Sequence, residues 1–167
     1  MKRLLFMILA CLALCSYAQA PLSTEVATGS FNALYKKTAN LEIEYVKIHN
    51  RSEAEFAEYE KDWVVDKPDV EDLIMQNANV ALKGACYLNF GKESDWTVKV
   101  VVTTISQKGD YSFIVQLLDK KGEIVGNIAG LFGKGGMFGT KLNLIKDGAK
   151  STGKKVGTML KKYINKK

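Results

Sequence analysis

Alternation of apolar and polar side chains predicts β-strands in four parts of the chain. In the first, Leu41, Ile43 and Tyr45 alternate with polar residues, which is typical of a strand with one buried face. Three more runs follow one another closely, and short polar, glycine-containing turns separate them, which predicts an antiparallel meander. We expect the four strands at 39–48, 96–106, 111–118 and 123–130.

Apolar positions that recur at steps of three and four predict helices. Ser52 and Glu55 match a capping box and begin a short helix that extends to about residue 61, held down in part by Tyr59. Asp66 is expected to cap a second helix, with Pro68 in its first turn and an end at residues 83–84.

A third, longer helix is predicted from Thr140, its capping residue, towards the end of the chain. Gly153 and Gly157 lie four residues apart and form a smooth ridge with Ala149, and we expect this ridge to pack on the sheet. A membrane helix dimer is the alternative use of such a ridge, but lysines interrupt every apolar run. The apolar stripe comprises Leu142, Ile145, Ala149, Thr152, Val156, Met159 and Tyr163.

Strands that are grouped apart from helices predict an α+β fold. We expect an antiparallel sheet, made of one strand plus the three-strand meander, with a central helix and a long C-terminal helix packed on one face. The pattern contains no internal repeat and no linker, so residues 21–167 are expected to form a single domain.

A glycine-rich loop precedes the last helix, and this context is typical of anion sites because backbone N–H groups converge at a helix start. The loop fits neither a Walker nor a dinucleotide motif, so a structural turn is the alternative. Met137 and Phe138 are expected to tuck the loop onto the core. The candidate anion or partner contacts are Lys134, Gly135, Gly136 and Lys141.

Positive charge is concentrated at the C-terminal end of the chain. The whole sequence carries a formal charge of +6, yet ten lysines and only one acidic residue follow Gly133. This face suits anionic lipid or an acidic protein partner, and a solvated lysine face is the alternative. Nucleic acid is not an expected partner. The predicted basic surface consists of Lys150, Lys154, Lys155, Lys161 and Lys162.

Residues 1–20 read as a secretory signal peptide, with Lys2 and Arg3 before an apolar run and a small-x-small cleavage site ending at Ala20. A lipoprotein signal is the alternative, with Cys11 or Cys15 as the acylated residue. We therefore expect an exported protein, located in the periplasm or associated with the outer membrane.

Patterns that would support catalysis or metal binding are absent from the sequence. His49 is the only histidine, and Cys86 is the only cysteine after the predicted signal peptide, so the mature chain has no intrachain disulfide. A Cys86–His49 dyad has no spacing signature, and a turn histidine and a core cysteine are the ordinary roles. No catalytic residue, cofactor or metal ligand is predicted.

Four segments within residues 96–164 and just before them carry a resemblance to known proteins: DWTVKVVVTTI, DKKGE, GKGGMFGTK and LNLIKDGAKSTGKKVG. This block, somewhat under half of the chain, resembles a family of exported bacterial envelope proteins of unknown function. The resemblance implies a small envelope domain distantly similar to the N-terminal α/β domains of TolB-type proteins, and it implies no activity.

Three functions are compatible with these features. The first is a non-enzymatic periplasmic or envelope-associated binding or structural module, whose partner is an envelope protein, a membrane surface or a small ligand. The second is a carrier of a small apolar ligand or lipid. The third is a hydrolase that uses Cys86 and His49.

The predicted export signal gives a first testable expectation. Mass spectrometry of the native protein should find Pro21 as the first residue, without an acyl chain, because the small-x-small site ends at Ala20. An acylated Cys11 or Cys15 at the N-terminus would instead mean that the protein is anchored to a membrane.

Overall fold

One mixed β-sheet, with helices on one of its faces, organises the part of the chain that the computed structural model describes, residues 24–164. The predicted signal peptide, residues 1–20, lies outside the described residues. The strands are β1 (Val26–Gly29), β2 (Thr38–Tyr45), β3 (Tyr87–Asn89), β4 (Thr97–Ile105), β5 (Tyr111–Leu118) and β6 (Ile124–Gly133). The helices are α1 (Glu53–Tyr59), α2 (Trp63–Leu82) and α3 (Lys141–Ile164), with a 3₁₀ helix at Asn32–Leu34.

The strand order is β1-β6-β5-β4-β2-β3, and the predicted meander of β4, β5 and β6 is confirmed. The expectation of a purely antiparallel sheet is wrong, because β2 runs parallel to both β4 and β3. The chain between β2 and β3 contains α1 and α2, and these helices return it to the end of the sheet where β2 began. Such a crossover produces parallel neighbours, whereas a tight hairpin produces antiparallel ones. The fold is therefore α+β with a mixed sheet.

Strand β6 continues to Gly133, three residues beyond its predicted end. Its register against β5 shifts where Phe113 pairs with Leu131 and Val115 pairs with Ile128. Gly130 lies in this bulge with a φ of 73°, a conformation that glycine adopts without steric cost. The bulge lets β6 resume pairing with β5 after Gly130, although the sequence pattern predicts that the strand ends at this glycine.

The first turn of α2 differs from the prediction. The helix begins at Trp63 instead of after Asp66, and Pro68 lies inside it. Trp63 is buried and makes edge-to-face contacts with Tyr45 and Phe56, each with 5.5 Å between ring centroids. This packing draws the preceding residues into the helix, so Pro68 lies in its second turn and cannot donate the usual helix hydrogen bond to the Val64 carbonyl.

Two predicted caps are confirmed. The Ser52 hydroxyl accepts from the Glu55 backbone N–H at 3.3 Å, and the Glu55 carboxylate accepts from the Ser52 N–H at 2.8 Å. At the start of α3, the Thr140 hydroxyl accepts from the Asn143 N–H at 3.3 Å. Each side chain satisfies a backbone donor that the helix itself leaves unpaired.

The glycine ridge of α3 packs on α2, not on the sheet as expected. A Cβ atom at Gly153 would overlap the Ile74 carbonyl oxygen, and one at Gly157 would overlap the Ala78 carbonyl oxygen. Helices α2 and α3 lie on the same face of the sheet. One side of α3 therefore contacts the strands, and its glycine ridge contacts α2. None of the helices in residues 24–164 is both long and apolar enough to cross a bilayer.

We expect Gly157→Ala to destabilise the protein, although alanine is the better helix former. The added methyl group would meet the Ala78 carbonyl, which moves only if α2 moves, and overpacking of this kind costs about 1–3 kcal/mol. Urea denaturation measures the change, and Lys154→Ala, at an exposed position of the same helix, should stay within about 0.5 kcal/mol of wild type. A Gly157→Ala protein as stable as wild type would contradict a close helix contact.

Candidate anion-binding site

The glycine-rich loop between β6 and α3 uses its own backbone donors internally. The Gly135 N–H donates to the Asp110 carboxylate at 2.9 Å, and the Lys134 N–H donates to the Ser151 hydroxyl at 3.0 Å. Gly136 lies against Asp147, since a Cβ atom there would come within 2.8 Å of a carboxylate oxygen. In this loop the chain's own carboxylate therefore occupies the place expected for a bound anion.

Met137 and Phe138 do not tuck onto the core as predicted. Their side chains are 78% and 86% exposed. The backbone of the loop already contacts α3 directly, because Gly133 abuts Thr152 and Gly136 abuts Leu144. The two apolar side chains extend outward from the loop instead.

The predicted basic surface is partly neutralised by acidic side chains. Lys150 pairs with Asp147 at 3.0 Å, whereas Lys155 and Lys162 both pair with Glu25, at 3.4 and 2.8 Å. The hydrogen bond from Lys162 is the main cause that lowers the pKa of Glu25. Lys154 is exposed and Lys161 is half-buried on the same helix. Glu25 lies far from these lysines in sequence, so charge counting along the chain did not reveal it.

Lys141, the fourth predicted contact, lies apart from the loop and belongs to a different cluster. Its ammonium donates to the Tyr59 hydroxyl at 2.7 Å and lies 4.4 Å from the centre of the Tyr59 ring. The Arg51 guanidinium lies 4.2 Å from the same ring centre. Cations are attracted to the electron-rich face of an aromatic ring, so Tyr59 holds two positive groups close together.

His49 completes the cluster through a tight turn that links β2 to α1. His49 and Asn50 have φ values of 50° and 65°, and Ile48 and Arg51 exchange backbone hydrogen bonds at 2.8 and 3.0 Å across the turn. Positive φ at both central residues is typical of a hairpin turn. The His49 N–H also donates to the Ile105 carbonyl at 2.9 Å, which fixes the turn to the end of β4.

The His49 side chain is only 5% exposed, and its ring packs edge-to-face on Phe56 at a centroid distance of 5.1 Å. Burial lowers the pKa of His49, and the positive charges of Lys141 and Arg51 lower it further, while the Ser106 backbone and Glu60 act in the opposite direction. The Nε2 atom is buried without a hydrogen-bond partner in the described part of the chain. A buried polar atom of this kind is uncommon.

These side chains surround a small cavity of about 240 Å³. It is lined by two permanently charged side chains, a tyrosine, an amide and the buried imidazole. The lining residues are His49, Arg51, Tyr59, Gln107 and Lys141. They come from the β2–α1 turn, α1, the β4–β5 turn and the start of α3, so the cavity forms only in the folded chain.

Sequence reasoning identified Lys141 and His49 but not their partners. Tyr59 was expected to anchor α1, yet it is 52% exposed and acts as a platform for the two cations. Arg51 and Gln107 lie in turns that look ordinary in the sequence. The one available signal was the His49-Asn50-Arg51 turn immediately before a capped helix, which places a cation and an imidazole at a helix start.

The structure separates Cys86 from His49. Cys86 immediately precedes Tyr87, which pairs with Thr38 at the start of β2, whereas His49 follows the end of β2. The two side chains therefore lie at opposite ends of a strand. In residues 24–164, no group of three or more histidine, cysteine or carboxylate side chains is arranged to hold a metal ion.

Comparisons with known proteins find distant likenesses in structure alone. No protein-family profile matches the sequence, and no curated protein matches it. A PelC dodecamer from Paraburkholderia phytofirmans has 15% sequence identity and a TM-score of 0.49, covering 83% of this chain and 96% of that chain. A point variant of the same PelC gives 15% identity and a TM-score of 0.47, with coverage of 82% and 98%. A likeness this distant assigns neither a family nor a function.

We expect the Cys86 thiol to be inert in the folded protein. It is 1% exposed, and burial raises its pKa to about 12, so the thiolate fraction near pH 8 is of order 10⁻⁴. Labelling with iodoacetamide, followed by mass spectrometry of the Cys86 peptide, should show modification in urea and almost none in native buffer. Comparable labelling rates in both conditions would mean that the thiol is accessible and available as a nucleophile.

Proposed function

We propose that this protein is a non-enzymatic, envelope-associated binding module, and that the cavity beside His49 captures an anionic group of its ligand or partner. The observation that carries the proposal is the convergence of Arg51 and Lys141 on one tyrosine ring next to a buried imidazole. The envelope location rests on the predicted signal peptide and on the resemblance to exported envelope proteins.

The charges around the cavity favour an anion. Arg51 and Lys141 lie 4.2 and 4.4 Å from the centre of the same tyrosine ring, and like charges near each other repel. Glu60 is the nearest acid to Lys141, and their closest N–O distance is 3.9 Å, which compensates only part of this repulsion. A carboxylate or phosphate group in the cavity would relieve the remainder and accept hydrogen bonds from both cations.

The composition of the cavity favours binding over catalysis. Its lining supplies hydrogen-bond donors and positive charge, and the thiol of the alternative Cys86–His49 hydrolase lies at the other end of β2. The described geometry gives that hydrolase no support.

A second candidate function, the carrier of a small apolar ligand, has one observation in its favour. A cavity of about 510 Å³ lies beside the glycine-rich loop, and Phe132, Met137 and Leu144 contribute apolar surface to it. Lys108 and Asp110 also line this cavity, so an apolar ligand would carry a polar end. Extraction of the purified protein with organic solvent, followed by mass spectrometry, tests this alternative.

We expect the protein to bind sulfate, phosphate or acetate at the His49 cavity in a buffer of low ionic strength. Because hydrogen bonds to charged groups contribute about 1.5–3 kcal/mol, Arg51→Gln and Lys141→Gln should each weaken binding about tenfold or more. Isothermal titration calorimetry measures the affinities.

Lys92→Gln is the matched control, since it removes the same charge from an exposed site near the opposite end of β2 and should leave the affinity nearly unchanged. No binding of any of the three anions would refute the proposal. So would equal losses in the Lys92 and Lys141 variants, because the anion would then respond only to the overall charge of the protein.

A further inference from the structure

The Nε2 atom of His49 is the one polar atom of the described cavity lining that is buried and lacks a partner. Buried nitrogen and oxygen atoms are nearly always hydrogen-bonded in folded proteins, so this nitrogen is an exception that the fold leaves available to a proton. The imidazole is held in place by the Phe56 ring and by the turn that His49 belongs to. Its position is therefore set before any ligand arrives.

Charged and titratable groups face this imidazole from every element packed against it. The β2–α1 turn contributes Arg51, α1 contributes Tyr59 and Glu60, and α3 contributes Lys141. The end of β4 contributes the Ser106 backbone, next to the neutral amide of Gln107. In the free protein, burial and the two cations favour the neutral imidazole, because a third positive charge would be repelled.

We propose that the cavity binds a doubly charged oxyanion of the sulfate or phosphate-monoester class, and that the His49 imidazole takes up one proton from solvent as the anion binds. This inference rests on the proposed function of the cavity. The imidazolium carries a proton on both ring nitrogens and a full positive charge, which attracts an anion held between Arg51 and Lys141 in the cavity that His49 also lines. No covalent bond forms or breaks.

The charge count selects a dianion over a simple carboxylate. Arg51, Lys141 and protonated His49 supply three positive charges, and Glu60 offsets one of them. A dianion neutralises the two that remain, whereas acetate neutralises one and favours protonation of His49 less. Binding and protonation therefore strengthen each other, and the affinity rises as the pH falls, by up to about tenfold per pH unit.

Nuclear magnetic resonance tests the coupling directly, because His49 is the only histidine in the sequence and its ring signals are unambiguous in an untagged protein. Sulfate is the main probe, since it stays doubly charged throughout the range from about pH 5 to pH 8 in which histidine titrates. The His49 pKa should rise by about one unit or more at saturating sulfate, and the sulfate affinity should increase several-fold from about pH 7.5 to pH 6. Phenyl phosphate should bind at least as tightly as inorganic phosphate if the natural ligand is an ester.

His49→Asn provides the matched variant, because asparagine tolerates the positive φ at this position better than most residues. It should bind sulfate more weakly and with little dependence on pH. A thermal melt checks that the variant is folded, and the titration of the wild-type histidine does not depend on the variant.

The possible failures are distinguishable. If sulfate binds at this cavity but leaves the His49 pKa unchanged, proton uptake is wrong and the proposed function stands. If acetate binds as tightly as sulfate at every pH, the dianion class is wrong. If none of these anions binds, the proposed function itself fails.

Discussion

Gly153 and Gly157 let α3 lie directly on the backbone of α2, and the arrangement of the whole helical layer depends on this contact. Side chains of ordinary size at these positions would push the two helices apart. The contact also fixes the start of α3, where Lys146 pairs with Asp66 of α2 at 2.9 Å. One turn earlier, Lys141 reaches the Tyr59 ring of α1. A backbone contact in the middle of the layer thus determines where the Lys141 ammonium lies at its edge.

Local patterns in the sequence were sufficient to predict the helices, the meander and two of the caps. They depend on interactions between residues a few positions apart, and hydrophobic periodicity reports these directly. The direction of β2 relative to its neighbours could not be predicted in this way. Alternation shows which face of a strand is buried, but it does not show which strands pair with it or in which direction they run. The glycine ridge was recognised as a packing surface, but its partner was misassigned. Sequence spacing does not distinguish a helix from a sheet as the neighbour.

The candidate site shows the same limit more sharply. Glycines and lysines near a helix start predicted an anion site in the loop, where Asp110 already accepts from the Gly135 N–H. The cavity that brings two cations next to the His49 imidazole lies instead at the β2–α1 turn. Its members come from four separate segments, and only the tertiary fold brings His49 and Lys141 together. A motif search reads neighbours in sequence and has no access to this proximity.

The pairing of β1 with β6 has a consequence for how the chain acquires its structure. Val26 lies opposite Ala129, and Glu25 just before it contacts Lys162 near the end of α3. A strand cannot pair until its partner has been synthesised, and closing so long a loop is entropically slow. During synthesis from the N-terminus, β1 must therefore wait as unpaired chain while the central strands and α2 emerge. The outer edge of the sheet can therefore close only after β6 has emerged, and the ion pair between Glu25 and Lys162 can form only after α3 is complete.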